Sequence, residues 1–269
     1  MDTPEDPQFA EKIQADRPHS ARVWNYLLGG RDNYRADRAA GEMILETFPG
    51  IARLARLQRY FLARAVRCLA AEAGIRQFLD VGTGLPTVDN THEVAQRVAP
   101  DSRIVYVDND PLVLVHAHAL LTSSPQGACA YIDADVRDPA NILRQAAGTL
   151  DFSKPVALTL LGTLGQLPDS DDPSSIVARL MEPLPSGSYL VLSDGTDTDE
   201  ALNQAIAVYN DNSASSYHLR SPERIARFFD GLELLEPGVV TTSNWRPEFA
   251  DPDDGTEQVD AICGIGRKP

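Results

Sequence analysis

Gln77-Phe-Leu-Asp-Val-Gly-Thr-Gly84 reads as a short apolar strand that breaks into a glycine turn. Arg103-Ile-Val-Tyr-Val-Asp108 reads as a second apolar strand that ends on a carboxylate. Glycines let a backbone approach a ligand closely, and a carboxylate after the next strand suits a ribose diol. Asp108 follows Gly84 by 24 residues, close to the roughly 20 expected in a nucleotide-binding βαβ unit. The pair predicts an adenosine-containing ligand at the carboxyl ends of parallel strands.

The ligand is narrowed by what surrounds the glycines. A dinucleotide fingerprint is Gly-x-Gly-x-x-Gly, with a pyrophosphate on a helix N-terminus. Here Leu85, Pro86 and Thr87 follow Gly82-Thr83-Gly84, so the third glycine is missing. Asp80 stands inside the motif, where it would repel a pyrophosphate but match a cation. S-adenosylmethionine carries an α-amino group and a sulfonium, and the motif favours it over NAD.

Outward from this motif, strands are expected at Gln77–Val81, Arg103–Val107, Ala128–Ile132, Val156–Leu161 and Tyr189–Leu192. Helices are expected between them, near Thr91–Ala99, Pro111–Leu121, Asn141–Ala147 and Ser174–Met181, with another after Glu200. Such alternation predicts a mainly parallel sheet covered on both faces. Gly231–Val240 and Gln258–Arg267 have no helix between them and predict an antiparallel closing pair. Before the first strand the pattern is helical. Ser20 is placed to cap a helix Ala21–Leu28, stopped by Gly29-Gly30. Helices Ala36–Phe48 and Ile51–Ala73 follow, the last with apolar residues at helical spacing. The expected organisation is an extension over residues 1–73, loose to about residue 18, and one α/β unit over 74–269.

Composition excludes several classes. The net charge of −15 opposes a nucleic-acid partner, which calls for a basic surface. The longest apolar run, Val156–Leu161, is too short to cross a bilayer, and the acidic start Met1-Asp-Thr-Pro-Glu-Asp6 has no apolar signal core. A cytoplasmic location is expected. Cys68, Cys129 and Cys263 are widely spaced, without metal-ligand spacing, and are expected to be reduced and buried. No metal site is expected, and oligomeric state is not encoded in any motif.

Several further segments carry a resemblance. They are His19-Ser-Ala-Arg-Val-Trp-Asn-Tyr-Leu-Leu-Gly-Gly-Arg-Asp-Asn-Tyr-Arg-Ala-Asp37, Leu79–Thr87, Asn90–Gln96, Val105–Asp110, Asp133–Pro139, Arg224–Leu234 and Trp245-Arg-Pro247. Together they resemble the actinobacterial S-adenosylmethionine-dependent methyltransferase family once catalogued as a domain of unknown function, a branch of the class I methyltransferases. The resemblance covers nearly the whole chain. It implies a Rossmann-like sheet of seven strands, mainly parallel with the last antiparallel, behind an N-terminal helical extension. It also places Asp135 at the adenine amino group, with the Val136 backbone N–H on a ring nitrogen. Two departures stand out. After the fourth strand the family usually shows Leu-His-His or Leu-His-Phe, and here Leu164-Gly165-Gln166 stands. After the fifth it usually shows Ser-His, and here Ser193-Asp194 stands.

The candidate cofactor residues are then Asp80, Gly82, Thr83 and Gly84 in the turn, Asp108 and Asn109 after the second strand, and Asp135 and Val136 after the third. The Arg22–Asn33 segment places Arg22, Tyr26, Gly30 and Asn33 around a helix stop, as a lid would. Arg22 or Arg31 is the expected partner of the methionine carboxylate. Gln166, Asp194 and His218 are the candidate bases. The expected function is methyl transfer from S-adenosylmethionine to a small molecule, in the manner of secondary metabolism, with S-adenosylhomocysteine as product. Aminocarboxypropyl transfer, cyclisation, or non-catalytic sensing of the same cofactor are the alternatives. At Gly165 the expectation is extra room for a larger acceptor.

Overall fold

The first strand forms where the sequence places it. The computed structural model describes residues 13–120, 122–213, 215–248 and 260–269. β1, Gln77–Val81, is buried along its whole length, as a central strand covered on both faces must be. It pairs in parallel with β2, Arg103–Asp108, on one side and with β4, Ala157–Leu161, on the other. β3, Ala128–Asp133, and β5, Tyr189–Gly195, extend the parallel sheet outward. β8, Ala261–Arg267, runs antiparallel to β5. The strand order is β3-β2-β1-β4-β5-β8-β6, a mixed α/β sheet, mostly parallel, with antiparallel strands at its C-terminal end.

The expected strand Gly231–Val240 is two pieces. β6 is Glu233–Leu234 and β7 is Val240–Thr241, both antiparallel to β8. Pro237 and Gly238, the latter at φ +89°, break the run, because proline has no N–H for a ladder and glycine here turns left-handed. Among the described residues the sheet therefore counts eight strands, because one of the seven expected is two short pieces. Gln258 and the first part of the last expected strand lie outside the described residues, as do residues 1–12.

Among the described residues, α1, Ser20–Leu27, α2, Arg35–Thr47, and α3, Ile51–Ala71, precede the sheet. Ser20 is the first helical residue and not the cap. His19 occupies the cap position without a side-chain bond to the helix, and its backbone N–H donates to Asp37 instead, at 2.9 Å. Between strands come α4, Thr91–Val98, α5, Pro111–Leu120, α6, Pro139–Ala146, α7, Pro173–Met181, α8, Glu200–Asn212, and the short α9, Pro222–Ala226. Four of these six starts follow one rule. Asp110, Asp138, Asp172 and Ser221 each stand before a proline and accept a backbone N–H of the first turn. Proline at the first helical position loses nothing, since its N–H would be an orphan. Asp138 is thus a helix cap and not merely a solvated carboxylate.

α3 and α4 cover one face of the sheet, where Phe61, Leu69, Phe78 and Trp245 pack together. α6, α7 and α9 cover the other, with Leu158, Leu160, Ile142 and Leu180 at its centre. A third cluster joins Val23, Ile44 and Leu57 of the N-terminal helices to Leu202, Ala205 and Tyr209 of α8. α1 and α2 are thereby fixed over the carboxyl edge of the sheet. No helix among the described residues is long and apolar enough to cross a membrane.

Candidate active site at the carboxyl edge of the sheet

A cleft of about 1500 Å³, counted to its open mouth, lies between the carboxyl ends of the strands and the N-terminal helices. The turn after β1 forms its floor. Gly82 and Gly84 have φ of +73° and +68°, where an L side chain is strained. The Gly82 N–H bonds Val107 O at 2.8 Å, and a Cβ on Gly82 would overlap Thr163. A Cβ on Gly84 would meet nothing within 4 Å, so open space begins at that glycine. The Gly84 N–H donates to Asp108 Oδ2 at 2.8 Å, and the Asp110 N–H donates to Asp108 Oδ1 at 2.9 Å. Asp108 is held by backbone on both oxygens, each with a lone pair left for a diol. Burial pushes its carboxyl above the usual range.

Asp80 lies under the turn, buried. It accepts from Thr91 Oγ1 at 2.6 Å and Thr159 Oγ1 at 2.8 Å. Burial raises its pKa while these hydroxyls oppose the rise. Arg59 of α3 faces the same cleft and is half-buried. Its Nε has no hydrogen-bond partner, and its Nη2 makes only long contacts, at 3.3 and 3.4 Å, to Asp89 O and Val88 O. Burial lowers its pKa, and Asp80 is the first of the charges that oppose this. A buried guanidinium with spare donors beside a buried carboxylate suits an α-amino acid zwitterion. Sequence reading missed Arg59 because it stands in a plain amphipathic helix.

Asp80, Gly82, Thr83, Gly84, Asp108, Asn109, Asp135, Val136 and Gln166 all line the cleft. Asp135 is not a free acceptor. It takes the Arg137 backbone N–H at 2.8 Å and pairs with the Arg137 guanidinium, which also reaches Asp171 at 2.6 Å. Gln166 Oε1 is buried without a partner.

The Arg22–Asn33 residues chosen from the sequence do not face the cleft. Arg22 and Tyr26, four apart, share the opposite face of α1, while Val23, Trp24, Asn25, Leu27 and Leu28 line the cavity. Arg22 is 1% exposed and sits 3.6 Å from Asp37 and 3.4 Å from Asp110, with Nη1 donating to Ile13 O at 3.0 Å. His19 lies 3.0 Å from Asp110. Against the upward push of burial, His19 and Arg22 hold the Asp110 carboxyl below its usual range. This guanidinium lies between two buried carboxylates, away from the cleft lining. Tyr26 packs on Gly41 and reaches Glu42 at 3.4 Å. Asn33 donates to Gly30 O at 3.0 Å and to Asn25 Oδ1 at 2.9 Å. A Cβ on Gly30 would overlap Asn25. Gly30 and Asn33 thus brace the loop after α1 through Asn25, which the sequence did not single out. Arg31 is exposed and does not line the cleft.

At the other end of the cleft Tyr217 lines the wall, and behind it lies Asp194, 2% exposed and not itself part of the lining. Tyr217 Oη donates to its Oδ1, and the Gly195 N–H approaches the same oxygen at 3.3 Å. Oδ2 has no partner. Burial raises this carboxyl to about 6, against the opposing effects of the Tyr217 bond and the Arg220 charge. A Cβ on Gly165 would overlap the Tyr217 ring. The space left by glycine is therefore filled by this chain's own tyrosine, and not kept open for a larger acceptor. His218 lines a second, adjoining cleft with Asp169, Asn203 and Arg224, separated from the first by Tyr217 and Ile206. Its own N–H bonds Gly165 O at 2.7 Å.

His92 stands apart from the cleft, buried, with Nδ1 2.9 Å from Tyr106 Oη, and burial lowers its pKa. Trp245 is fully buried against Phe61 and lines neither of the two clefts. No group of three His, Cys, Asp or Glu side chains among the described residues is placed to hold a metal ion.

A family model described as S-adenosyl methyltransferase matches residues 6–269. A crystal structure of a DUF574 family protein from Streptomyces avermitilis MA-4680 is 44% identical, with a TM-score of 0.90, covering 96% of this chain and all of that one. A second, from Thermobifida fusca YX, is 42% identical, with a TM-score of 0.86 and 99% of each chain covered. The plantazolicin methyltransferase BpumL, solved with a triazolic desmethylPZN analog and S-adenosylhomocysteine, shares the fold at 10% identity and a TM-score of 0.52, over 97% of this chain and 99% of that one. No curated protein matches.

Proposed function

This chain belongs to the S-adenosyl methyltransferase family and is an S-adenosylmethionine-dependent enzyme, and on that premise we propose that it methylates a small molecule of the kind made in secondary metabolism. The observation that carries this reading is the junction of Gly84 and Asp108. A backbone-held carboxylate opens there onto space that no protein atom fills. Asp108 holds the ribose hydroxyls, with Asn109 beside it. The β3 end, at Asp135 and the Val136 N–H, takes the adenine. Asp80 attracts the amino group at the turn Gly82-Thr83-Gly84. Arg59 takes the carboxylate, the role expected of Arg22 or Arg31.

The bound cofactor supplies a methyl group already activated by its sulfonium. What remains for the protein is to fix acceptor and methyl in line and to keep water out. Leu27, Leu28 and Ile206 make the apolar wall that does so, and α1 with α2, inside the expected 1–73 extension, serves as the lid. The enclosed cleft and the net charge of −15 favour a small acceptor over a polyanion.

Titration calorimetry after chelator treatment tests the reading. S-adenosylmethionine and S-adenosylhomocysteine should bind without metal. Binding of NAD in their place would overturn it.

A further inference from the structure

Along the carboxyl edge the sheet sets an order. Asp135 follows β3, Asp108 ends β2, Gly82 follows β1, Gly165 follows β4 and Asp194 lies in β5. With adenine, ribose and amino acid assigned to the first three, the β4–β5 end is where the acceptor meets the methyl. Tyr217 stands there and lines the cleft.

The loop that carries Tyr217 is fastened at several points. Its backbone N–H and C=O bond the Asn210 side chain at 2.7 and 2.8 Å. His218 N–H bonds Gly165 O at 2.7 Å. Arg220, 3% exposed, donates to Leu164 O at 2.8 Å and Leu167 O at 2.5 Å. The ring lies on Gly165, so glycine there is required by the tyrosine. The hydroxyl donates to Asp194 and receives the Gly195 N–H at 3.3 Å. Behind it the second Asp194 oxygen is buried and unpartnered. A buried carboxylate oxygen without a donor is costly, and it is a cost that a proton would relieve.

Resting on the cofactor reading above, we propose that Tyr217 and Asp194 form the proton-accepting pair of this enzyme, and that its acceptor is a neutral group that gives up a proton as it is methylated. The acceptor's O–H or N–H proton passes to Tyr217 Oη as the tyrosine's own proton passes to Asp194 Oδ1. The bond formed joins the acceptor heteroatom to the methyl carbon. The bond broken is methyl to sulfur, whose electron pair stays on sulfur. The proton on Asp194 is later lost to water. Tyr217 is the catalytic residue, and Asp194 acts through it. Burial and the adjacent Asp194 charge keep the phenol protonated, so it conducts the proton without becoming a phenolate. The charged and titratable groups that face Asp194 are Tyr217 and Arg220.

The sulfonium provides a test that needs no acceptor. S-adenosylmethionine and S-adenosylhomocysteine present the same amino acid and adenosine, and differ in the charge at sulfur. Calorimetry at pH 6 in buffers of different ionisation enthalpy counts the protons released as each binds. With the pair in front of the methyl, S-adenosylmethionine should release more protons than S-adenosylhomocysteine. Asp194→Asn should lose that difference. Tyr217→Phe keeps the ring on Gly165 but removes a bond that stabilises the carboxylate, so the largest difference should move to higher pH. Equal proton counts in the wild type, or a difference that survives Asp194→Asn, would overturn the pair while leaving the cofactor assignment intact. Failure of both ligands to bind would overturn the cofactor assignment and the pair with it.

Discussion

Asp108 and Asp194 stand at the carboxyl ends of two strands of one sheet, and both are buried. Asp108 takes a backbone N–H on each oxygen, from Gly84 and Asp110. Asp194 takes a tyrosine hydroxyl from a distant loop and a long Gly195 N–H contact on one oxygen, and leaves the other without a partner. The first arrangement is fixed by the main chain and suits a ligand that never changes. The second depends on side chains and suits a proton that comes and goes. On the reading proposed above, one edge of one sheet carries a binding half held by backbone and a reacting half held chiefly by a side chain.

The contrast is most severely tested at Arg22, because the Asp110 N–H that holds Asp108 belongs to a residue Arg22 neutralises. Arg22→Ala leaves Asp37 and Asp110 buried without that cation. Stability should fall by about 3–5 kcal/mol, read as a lower urea midpoint. A loss below about 1 kcal/mol would mean the backbone frame stands without its ion cluster.

Asp194 predicts a pH dependence of opposite sign to an ion-paired carboxylate. Its folded value of about 6 lies above the ordinary 3.8, so the folded chain binds this proton more tightly than the unfolded one. The contribution is unfavourable, grows as pH rises from about 4 to 6, and reaches about 3 kcal/mol above that window. Asp194→Asn should be more stable than wild type at pH 7 and should lose this advantage at pH 4. Urea melts at both pH values decide it, and parallel curves would show that the carboxylate is not strained.

Asp108→Ala should weaken S-adenosylhomocysteine binding by about 1–3 kcal/mol, the cost of unpaired buried donors and a lost diol acceptor. Unchanged affinity with an intact fold would remove Asp108 from the site. The smallest effect belongs to Gly84→Ala. Its Cβ meets no protein atom, so thermal stability should fall only by the roughly 1–2 kcal/mol of a left-handed residue. Gly82→Ala adds the overlap with Thr163 and should cost more in the same melt.

The same contrast explains what could be read in advance. The Asp80–Gly84 turn and Asp108 are local patterns, because backbone geometry demands particular residues at short spacing. The sheet followed from alternating apolar strands and helices, and erred where Pro237-Gly238 divides one strand into two. Arg22 misled because a conspicuous arginine beside a diglycine looks like a ligand clamp, while its partners Asp37 and Asp110 meet it only in the fold. Arg59 was hidden by an ordinary helix. The departure at Gly165 was visible, but its cause was not. Tyr217 lies 52 positions downstream, and no spacing rule connects them.

The Arg22, Asp37 and Asp110 cluster has a consequence for how the molecule comes apart. It ties the first helix to the loop that follows Asp108, and the apolar residues of α8 share a core with α1 and α2. Local opening in proteins follows contiguous units that share contacts. The first helix and the loop at Asp108–Asp110 therefore belong to one foldon, although about 80 residues of chain separate Leu27 from Asp108. Hydrogen exchange at Asp110 and Leu112 should track exchange in α1, and a chain cut after residue 73 would lose its nucleotide loop along with its lid.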